Sequence, residues 1–460
     1  MTDAQESREP SEQELADRDA ADAVFAELLA RLGEGSPQPR LEPTRRAVEL
    51  LGDPQRSYGV IHITGTNGKT STSRMIESIL RAYGLRAGLM TSPHLVRVTE
   101  RIMIDGAPIA DRAFADNWAD IQPYLLMVDA ELAANGEEPL TYFEALTVLA
   151  FACFADAPVD VVVLEVGMGG EWDSTNVADG DVAVLTPIAL DHESRLGRTV
   201  AEIARTKAGI IKPAAHVVTA LQQTEAMDEI LRAAEHDEAP VAAEGVDFAL
   251  LDARLAVGGQ VIDVRGRAGE YRDLFLPLFG EHQARNAALA IAAVESFLGG
   301  GAQPLAMDVL HEGFATVTSP GRLQLIGIEP SVLVDAAHNP HGAEALAKAL
   351  LGSFAFEKVT AIVGILTDKD ARGIIEALDP VVDRFVVTQS ESDRALDSDE
   401  LAELVTHIAG PDRVRIEPEL SVALEEARDE AGPTDAVLVT GSITLVGQAM
   451  RIAREEGWAL

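Results

Sequence analysis

The chain has 460 residues, enough for two or three domains at the usual size of about 150 residues each. Its 75 Asp and Glu against 37 Lys and Arg leave a formal net charge of −38, and a field of that sign opposes binding to nucleic-acid backbones and anionic membranes. No apolar stretch approaches the ~18 residues of a membrane span, and the single cysteine, Cys153, excludes an intrachain disulfide. We therefore expect a cytoplasmic, multidomain protein with no nucleic-acid or membrane partner.

In chain order, the first predicted element is a disordered tail. Residues 1–20 are polar and acidic, and they carry too little apolar surface to offset the entropy lost on ordering. A helix is predicted to follow over residues 21–32, where large apolar residues recur at helical spacing.

Beyond residue 58, short β-branched runs alternate with amphipathic helical segments, which is the pattern of parallel doubly wound sheets in α/β proteins. Strands are predicted over residues 58–64, 159–166, 181–186, 331–335, 358–364, 384–388, 414–416 and 436–440, and helices over residues 70–83, 200–208, 342–351 and 398–408. The segment TSPG at residues 318–321 is the predicted hinge between two such units.

The strongest local motif follows the first of these strands. Residues 65–71 read GTNGKTS, so that a strand leads into a glycine-rich turn, a lysine, two hydroxyl groups and a helix. In this layout backbone N–H groups and the helix N-terminus face phosphates, the lysine reaches terminal oxygens, and a hydroxyl approaches Mg²⁺. Ile63 stands where the full motif has glycine, which makes the loop a shortened variant, and an ordinary glycine turn is the alternative. The candidate nucleotide-binding residues are Gly65, Thr66, Asn67, Gly68, Lys69, Thr70 and Ser71.

Four further polar residues of the first unit lie near the predicted ends of strands or helices. Glu165 ends a nearly continuous apolar run, and a carboxylate at the carboxyl end of a parallel strand suits Mg²⁺. The alternative for Glu165 is hydrogen bonding to loop amides. His192 can bind a metal, orient a ligand or cap a loop. On their local sequence alone, Lys207 is a surface lysine and Ser92 belongs to a strand-end loop.

The second unit has a strand-end cluster of its own. Asp335 ends an apolar strand and is followed by His338, Asn339 and a predicted helix. Such an acid can bind a ribose hydroxyl, and an imidazole can approach phosphate or base. The alternative is a polar helix cap that Asn339 supplies. Arg322, just after the hinge, is placed to clamp a phosphate from the far side of a cleft between the units.

The order of the motifs is more specific than any one of them. Along the chain the sequence reads GTNGKTS, TSPHL, TYFEALT, EVGMGGEWDSTN, LDHESRLG, ARTKAGIIKP, GEHQARNAALA, SPGR and DAAHNPHG. This order, from about residue 40 to the C-terminus, resembles the folylpolyglutamate synthase/dihydrofolate synthase family, a branch of the Mur ligase superfamily. The resemblance implies a P-loop ATPase domain over residues 21–318, a smaller Rossmann-like α/β domain over residues 319–460, and a ligand cleft between them.

The resemblance also implies a reaction. ATP phosphorylates a substrate carboxylate, and the amine of L-glutamate then displaces phosphate from the acyl phosphate to give an amide. The implied acceptors are dihydropteroate, the γ-carboxylate of reduced folate glutamates, or both. ATP, two Mg²⁺ ions and these small-molecule substrates are the implied ligands, and nothing in the sequence calls for assembly beyond a monomer.

The family's functional residues carry over onto matching positions of this sequence. The implied catalytic residues are Lys69, Glu165, His192 and Lys207. Beyond the P-loop, the implied ATP-binding residues are Asn286, Arg322, Asp335 and His338, and the implied pterin-side residues are Thr141, Trp172, Asp173 and Ser174. The implied metal ligands are Ser92 and Glu165 for one Mg²⁺, Glu165 and His192 for a second, and a carbamylated Lys207.

Two departures from the family pattern leave other functions open. Thr70 replaces the glycine that is usual in the folate branch and is itself usual in peptidoglycan Mur ligases, so a ligase acting on another acid is one alternative. Glu171 and Trp172 stand where many members have an arginine and a smaller apolar residue, which changes the charge expected beside the substrate. A P-loop protein that binds ATP as a switch and joins nothing is the other alternative.

Overall fold

The N-terminal unit is built on one large sheet. The structure, a computed structural model, describes residues 11–33 and 38–460. The strands of the large sheet are β1 (Gly59–Thr64), β2 (Ala87–Met90), β3 (Ile102–Ile104), β4 (Ala107–Pro108), β5 (Val161–Glu165), β6 (Val182–Leu185), β7 (His216–Thr219) and β8 (Val241–Ala243). They lie in the order β4-β3-β2-β5-β1-β6-β7-β8 and are parallel except at the β2–β3 and β3–β4 pairs.

Helices cover both faces of this sheet because its central strands are apolar on both sides. The helices of the unit are α1 (Glu12–Leu29), α2 (Glu42–Leu50), α3 (Lys69–Ala82), α4 (Asp111–Ala134), α5 (Tyr142–Asp156), α6 (Glu193–Leu196), α7 (Val200–Ala208), α8 (Thr224–His236), α9 (Glu281–Gly299) and α10 (Met307–Ala315). Ile61 and Ile63 of β1 pack with α3 and α9, whereas Val60 packs on the other face with α4 and α5. This alternation follows from the two-residue period of a strand.

Three neighbouring parallel strands bring the predicted site together. β5, β1 and β6 lie side by side, and each leads into a loop at its carboxyl end. The glycine-rich loop follows β1, Glu165 is the last residue of β5, and the loop after β6 carries His192. Because the carboxyl ends of parallel strands share one edge of a sheet, these groups lie next to one another.

Two further sheets complete the chain. A small antiparallel sheet, which the sequence analysis does not predict, has β9 (Ala249–Ala256), β10 (Gly259–Arg265) and β11 (Glu270–Leu276) in the order β11-β10-β9. The strands of the C-terminal sheet are β12 (Gln324–Gly327), β13 (Ser331–Asp335), β14 (Val359–Val363), β15 (Arg384–Val387), β16 (Val414–Ile416) and β17 (Ala436–Thr440). Their order is β12-β13-β17-β14-β15-β16, with β12 antiparallel to β13 and the other pairs parallel.

The C-terminal sheet also has helices on both faces, so the predicted α/β class with two mostly parallel sheets is confirmed. These helices are α11 (Pro340–Ser353), α12 (Ala371–Leu378), α13 (Ser398–Ala409), α14 (Leu420–Glu430) and α15 (Ile443–Glu455). The boundary predicted between residues 318 and 319 lies in the segment that joins α10 to β12. Within residues 11–33 and 38–460, no helix combines the length and apolar character needed to cross a membrane.

The prediction of a disordered tail over residues 1–20 is wrong from residue 12 onward, where α1 begins, and residues 1–10 lie outside the described residues. The Ser11 hydroxyl accepts a hydrogen bond from the Glu14 amide, and the Glu14 carboxylate accepts one from the Ser11 amide. This reciprocal capping box satisfies two amides at the start of the helix. α1 then packs its apolar side against α4. The cap and this burial offset the acidic composition.

Candidate active site

A cavity lies where the carboxyl ends of β5, β1 and β6 face the C-terminal unit. Both units contribute to its wall, and every residue predicted for the site lines it. These residues are Gly65, Thr66, Asn67, Gly68, Lys69, Thr70, Ser71, Ser92, Thr141, Glu165, Trp172, Asp173, Ser174, His192, Lys207, Asn286, Arg322, Asp335 and His338. The fold thus collects them around one space, while the role of each stays a prediction.

The glycine-rich loop is shaped by close approaches that require glycine. Gly65 (φ +146°) and Gly68 (φ +88°) have backbone angles that residues with a Cβ rarely adopt. A Cβ on Gly68 would lie 2.8 Å from Asn286 Oδ1, so the loop can touch α9 only through glycine. Lys69 Nζ donates to the carbonyls of Gly65 at 3.0 Å and Thr66 at 3.2 Å, and burial lowers the pKa of this lysine. The lysine therefore stabilises the loop that it follows.

The two hydroxyl groups after Lys69 point in different directions. Thr70 Oγ1 donates to Glu165 Oε1 at 2.9 Å. The Ser71 hydroxyl instead lies 2.9 Å from the Ser319 hydroxyl and accepts from Gln283 Nε2 at 3.2 Å. Of the two hydroxyl groups, that of Thr70 is therefore the one in contact with Glu165, the candidate metal ligand.

Glu165 is a buried carboxylate with one oxygen left over. Its Oε2 has no hydrogen-bond partner among the described residues. Burial raises the pKa of this carboxyl, and the neighbouring Lys69 ammonium opposes that rise. An unsatisfied carboxylate oxygen is costly to bury, and it is the kind of ligand that Mg²⁺ prefers. The residues present therefore fit a divalent cation beside Glu165.

Asp191, the residue before His192, connects the two units through its carboxylate. Its carboxylate accepts from Lys369 Nζ at 2.7 Å and from Asn339 Nδ2 at 3.2 Å, both in the C-terminal unit. His338 Nε2 and His192 Nε2 lie 3.7 Å and 3.9 Å from its Oδ2. Burial alone would raise the pKa of Asp191, but the two imidazoles and the ammonium group hold it well below its usual range. Burial lowers the pKa of His192 to about 4, so its imidazole is neutral at neutral pH.

A second contact between the units involves the glycine-rich loop itself. The side-chain amides of Asn67 and Asn339 exchange hydrogen bonds of 3.2 Å and 3.1 Å, and Asn67 Nδ2 lies 2.9 Å from His341 Nδ1. Asn339 also caps α11, since its Oδ1 accepts from the Gly342 amide at 2.8 Å. The capping alternative is therefore correct for Asn339, which in addition holds the second unit against the loop.

Asp335 and Arg322 face the cavity from the C-terminal unit. Both carboxylate oxygens of Asp335 accept backbone amides, those of Leu323 at 2.7 Å and Ala337 at 2.8 Å, while burial raises the pKa of the carboxyl. The guanidinium of Arg322 makes no hydrogen bond or ion pair with the residues that the structure describes. This cation is thus free to bind an anion in the cavity.

Comparison with known proteins assigns the family. Residues 63–294 match the Mur ligase middle domain, and residues 321–443 match the Mur ligase glutamate ligase domain. The dihydrofolate synthase/folylpolyglutamate synthase of Mycobacterium tuberculosis is 45% identical to this chain over 440 residues, which cover 90% of each protein. This chain belongs to the dihydrofolate synthase/folylpolyglutamate synthase family. Its Escherichia coli member is 34% identical over 91% of this chain and 92% of its own length.

Solved structures of family members share the fold described above. Mycobacterium tuberculosis folylpolyglutamate synthase complexed with ADP aligns with a TM-score of 0.90 and 43% identity, over 95% of this chain and 98% of that one. Escherichia coli FolC in complex with DHPP and ADP aligns with a TM-score of 0.82 and 32% identity, over 95% and 98%. The resemblance to the family and the expected α/β fold class are thereby confirmed.

In this family member, Lys207 is not the surface lysine that its local sequence predicts. It lies buried near the end of α7, and its Nζ donates to the Gly65 carbonyl at 2.8 Å. Burial, assisted by the Lys69 ammonium, lowers the pKa of Lys207 to about 7. At neutral pH, the Lys207 amine is therefore uncharged in a large fraction of the protein molecules.

The wall that the family resemblance assigns to the pterin begins at the N-terminus of α5. Thr141 caps that helix, since its Oγ1 accepts from the Glu144 amide at 3.2 Å. The Glu144 carboxylate accepts from Arg40 Nε at 3.0 Å, which ties the segment before β1 to this wall. Trp172 is half-buried beside Ser174.

The family departure at Glu171 places no carboxylate in the wall of the cavity. Glu171 is exposed and does not line the cavity, whereas its neighbour Trp172 does. The apolar ring of Trp172 is therefore the part of the departure that meets the cavity.

The cavity wall also contains residues that were not predicted for the site, and Lys369 and Arg40 are two charged examples. Lys369 lies in the loop after β14, as His192 lies in the loop after β6, so the reasoning that selects His192 applies to it as well. Arg40 lies in an irregular segment before α2 with no motif around it, and no signal in the sequence points to it.

Proposed function

We propose that this chain is an ATP-dependent ligase that adds L-glutamate to dihydropteroate, to the γ-carboxylate of reduced folate glutamates, or to both. The observation that carries the proposal is that a glycine-rich phosphate loop, the unsatisfied carboxylate of Glu165 and the wall around Asp173 share one cavity. The family relatives named for these activities support it. An acceptor carboxylate oxygen attacks the γ-phosphorus and ADP leaves. The glutamate nitrogen then attacks the acyl carbon, loses a proton, and phosphate leaves.

The phosphates of ATP bind at the glycine-rich loop in this proposal. Loop amides and the N-terminus of α3 face them, and Lys69 exchanges its loop carbonyls for phosphate oxygens. Arg322 has no ion pair with the described residues, and its positive charge stabilises the negative charge on the oxygens of the transferred phosphoryl group. Asn286 borders the loop, and Asp335 with His338 completes the nucleotide site from the C-terminal unit.

Two Mg²⁺ ions belong to the proposed site. The residues that would hold them are Ser92, Glu165, His192 and a carbamylated Lys207. The unpaired Oε2 of Glu165 and the neutral imidazole of His192 are both able to donate to a cation. When bound, such ions neutralise phosphate oxygens and so favour the attack of a carboxylate. Mg²⁺ keeps few protein ligands, which leaves room for water and phosphate oxygens.

Carbamylation of Lys207 follows from its depressed pKa in this proposal. The uncharged Nζ adds to the carbon of CO₂, an N–C bond forms, and one amine proton passes to water. The product carries a negative charge on two oxygens, so a neutral amine becomes an anionic metal ligand. The remaining N–H can keep its hydrogen bond to the Gly65 carbonyl.

The test is the mass of the product after incubation with ATP, Mg²⁺ and glutamate, with dihydropteroate and tetrahydrofolate offered in separate reactions. One added glutamate on dihydropteroate and a ladder on tetrahydrofolate are expected of a bifunctional enzyme. A ladder on tetrahydrofolate alone restricts the proposal to chain extension. No adduct in either reaction, from protein that binds ATP, overturns the folate assignment.

A further inference from the structure

A chain of three buried side chains runs from the central strand of the large sheet to the pterin side of the cavity. His62 of β1 is fully buried, and its Nε2 lies 2.9 Å from Thr175 Oγ1. The Thr175 hydroxyl lies 2.5 Å from Asp173 Oδ1, which also accepts the Thr175 amide at 3.0 Å. The other oxygen of Asp173 accepts the Met168 amide at 2.8 Å. Asp173 lines the cavity, whereas His62 and Thr175 lie behind it.

The partners fix the direction of every hydrogen bond in this chain. Backbone amides only donate, so both oxygens of Asp173 act as acceptors, and these amides together with the Thr175 hydroxyl favour the ionised carboxylate against burial, which raises its pKa. The Thr175 hydroxyl therefore donates its proton to Asp173. With that proton committed, Thr175 Oγ1 accepts from His62, which must carry its own proton on Nε2.

The second ring nitrogen of His62 supports the same direction. His62 Nδ1 has no partner among the described residues, so the opposite tautomer would bury an unsatisfied N–H. Burial lowers the pKa of His62 to about 3, which keeps the ring neutral at physiological pH. The neighbouring residues of β1 are aliphatic, and an aliphatic side chain at this position would avoid the desolvation cost of an imidazole. The hydrogen bond that Nε2 donates to Thr175 therefore best explains why an imidazole stands at this position.

We propose that His62 and Thr175 are positioning residues, which hold the Asp173 carboxylate in one orientation in the cavity wall, ready for the pterin-bearing substrate. A carboxylate that is already oriented loses less conformational freedom when the substrate binds. Asp173 also caps the short turn Ser174–Val177, so the same contacts set the position of Ser174. The inference rests on the proposed function, because the pterin-bearing acid is the ligand that Asp173 meets there.

The experiment compares variants that break the chain with variants that keep it. Thr175→Val and His62→Leu remove the hydroxyl and the donor, while Thr175→Ser and His62→Gln retain them. Loss of a hydrogen bond to a charged group predicts that the first pair raises KM for the pterin-bearing acid about tenfold or more. The first pair should leave KM for ATP within about twofold, because the nucleotide loop is not part of the chain. Both conservative variants should stay close to the wild-type enzyme.

A double variant tests whether the two residues act as one chain. His62→Leu combined with Thr175→Val should raise KM for the pterin-bearing acid no further than the worse single variant. Additive effects would show that the residues act separately and would overturn the proposal.

The matched control is Thr388→Val. Thr388 is also a buried threonine, with its hydroxyl donating to the Pro418 carbonyl at 3.0 Å, but it lies in the C-terminal unit outside the cavity wall. It should lower the melting temperature without raising KM for the pterin-bearing acid. If Thr175→Val behaves in the same way, or raises KM for ATP and the acid equally, the role is structural and the proposal is overturned.

Should His62→Leu fail to fold, the result for Thr175→Val alone decides between the proposal and a structural role. A wild-type enzyme that ligates neither pterin overturns the proposed function and this inference with it, and that result is visible before any variant is made.

Discussion

The depressed pKa of Lys207 predicts how readily this one lysine takes up CO₂. A pH of 7.5 lies about half a unit above the Lys207 pKa of about 7, so the amine is neutral in about three quarters of the protein molecules. An ordinary lysine with a pKa of 10.5 lies three units the other way and is neutral in about one molecule in a thousand. Because only the neutral amine adds to CO₂, Lys207 has an advantage of several hundredfold over exposed lysines.

The assay is NMR of the protein with ¹³C-labelled CO₂ at a constant dissolved concentration, between about pH 6 and about pH 9. We expect one carbamate signal that grows with pH and is already present near pH 7, well below the range in which an ordinary lysine reacts. Lys207→Met should abolish it, while Lys358→Met, which removes an exposed lysine, should not. Removing CO₂ should lower the ligation rate of the wild-type enzyme and leave Lys207→Met inactive in both conditions.

The reasoning would be refuted by a carbamate signal that persists in Lys207→Met, or by one that grows only in the range of an ordinary lysine. The first result would place the modification elsewhere. The second would show that burial and the Lys69 ammonium do not depress the pKa of this amine.

Three further predictions concern other parts of the site. Glu165→Gln keeps an oxygen for the Thr70 hydroxyl but removes the charge, so ligation measured by product mass should fall about a hundredfold or more while the melting temperature changes little; near-normal turnover would contradict the metal assignment. Lys369→Met leaves the Asp191 carboxylate buried without its ammonium partner, and since both side chains are less than 10% exposed, we expect a loss of about 3–5 kcal/mol in denaturant unfolding. Adding Asp191→Asn should recover part of it, and no recovery would count against the ion pair. For His62, the folded-state pKa of about 3 lies below the ordinary 6.5, so its contribution to stability is complete above pH 6.5 and is lost as the pH falls toward 3. His62→Gln should therefore flatten acid unfolding by up to about 5 kcal/mol relative to the wild-type protein, and parallel acid-unfolding curves would show that His62 does not titrate in this way.

The sequence predicts the parallel sheets well because their strands are apolar on both faces. The predicted bounds of β13, β16 and β17 and of α7 coincide with those in the structure. The antiparallel sheet of β9, β10 and β11 is missed for the opposite reason. Five of the eight residues of β9 are exposed, and the ladders on both sides of β10 contain register irregularities, so no regular apolar alternation marks these strands.

The start of α1 could have been predicted from its local chemistry. Composition alone favours disorder over residues 1–20, but Ser11 and Glu14 have the spacing of a capping box. A local signal of this kind specifies where a helix begins, whereas composition describes only the average tendency of a segment. The apolar positions that α1 buries against α4 then decide the outcome.

The site divides in the same way between what a motif specifies and what packing specifies. Strand-end position selects Glu165, His192 and Asp335, because that position is a property of the local sequence and the sheet. The protonation states are set by contacts between distant segments. Lys207 meets the Gly65 carbonyl from 142 residues away, and that contact buries an amine whose own neighbours in sequence predict the surface. Motif order therefore identifies the chemistry of this family, while only the packing of α7 beneath the glycine-rich loop shows that Lys207 can supply an uncharged amine to it.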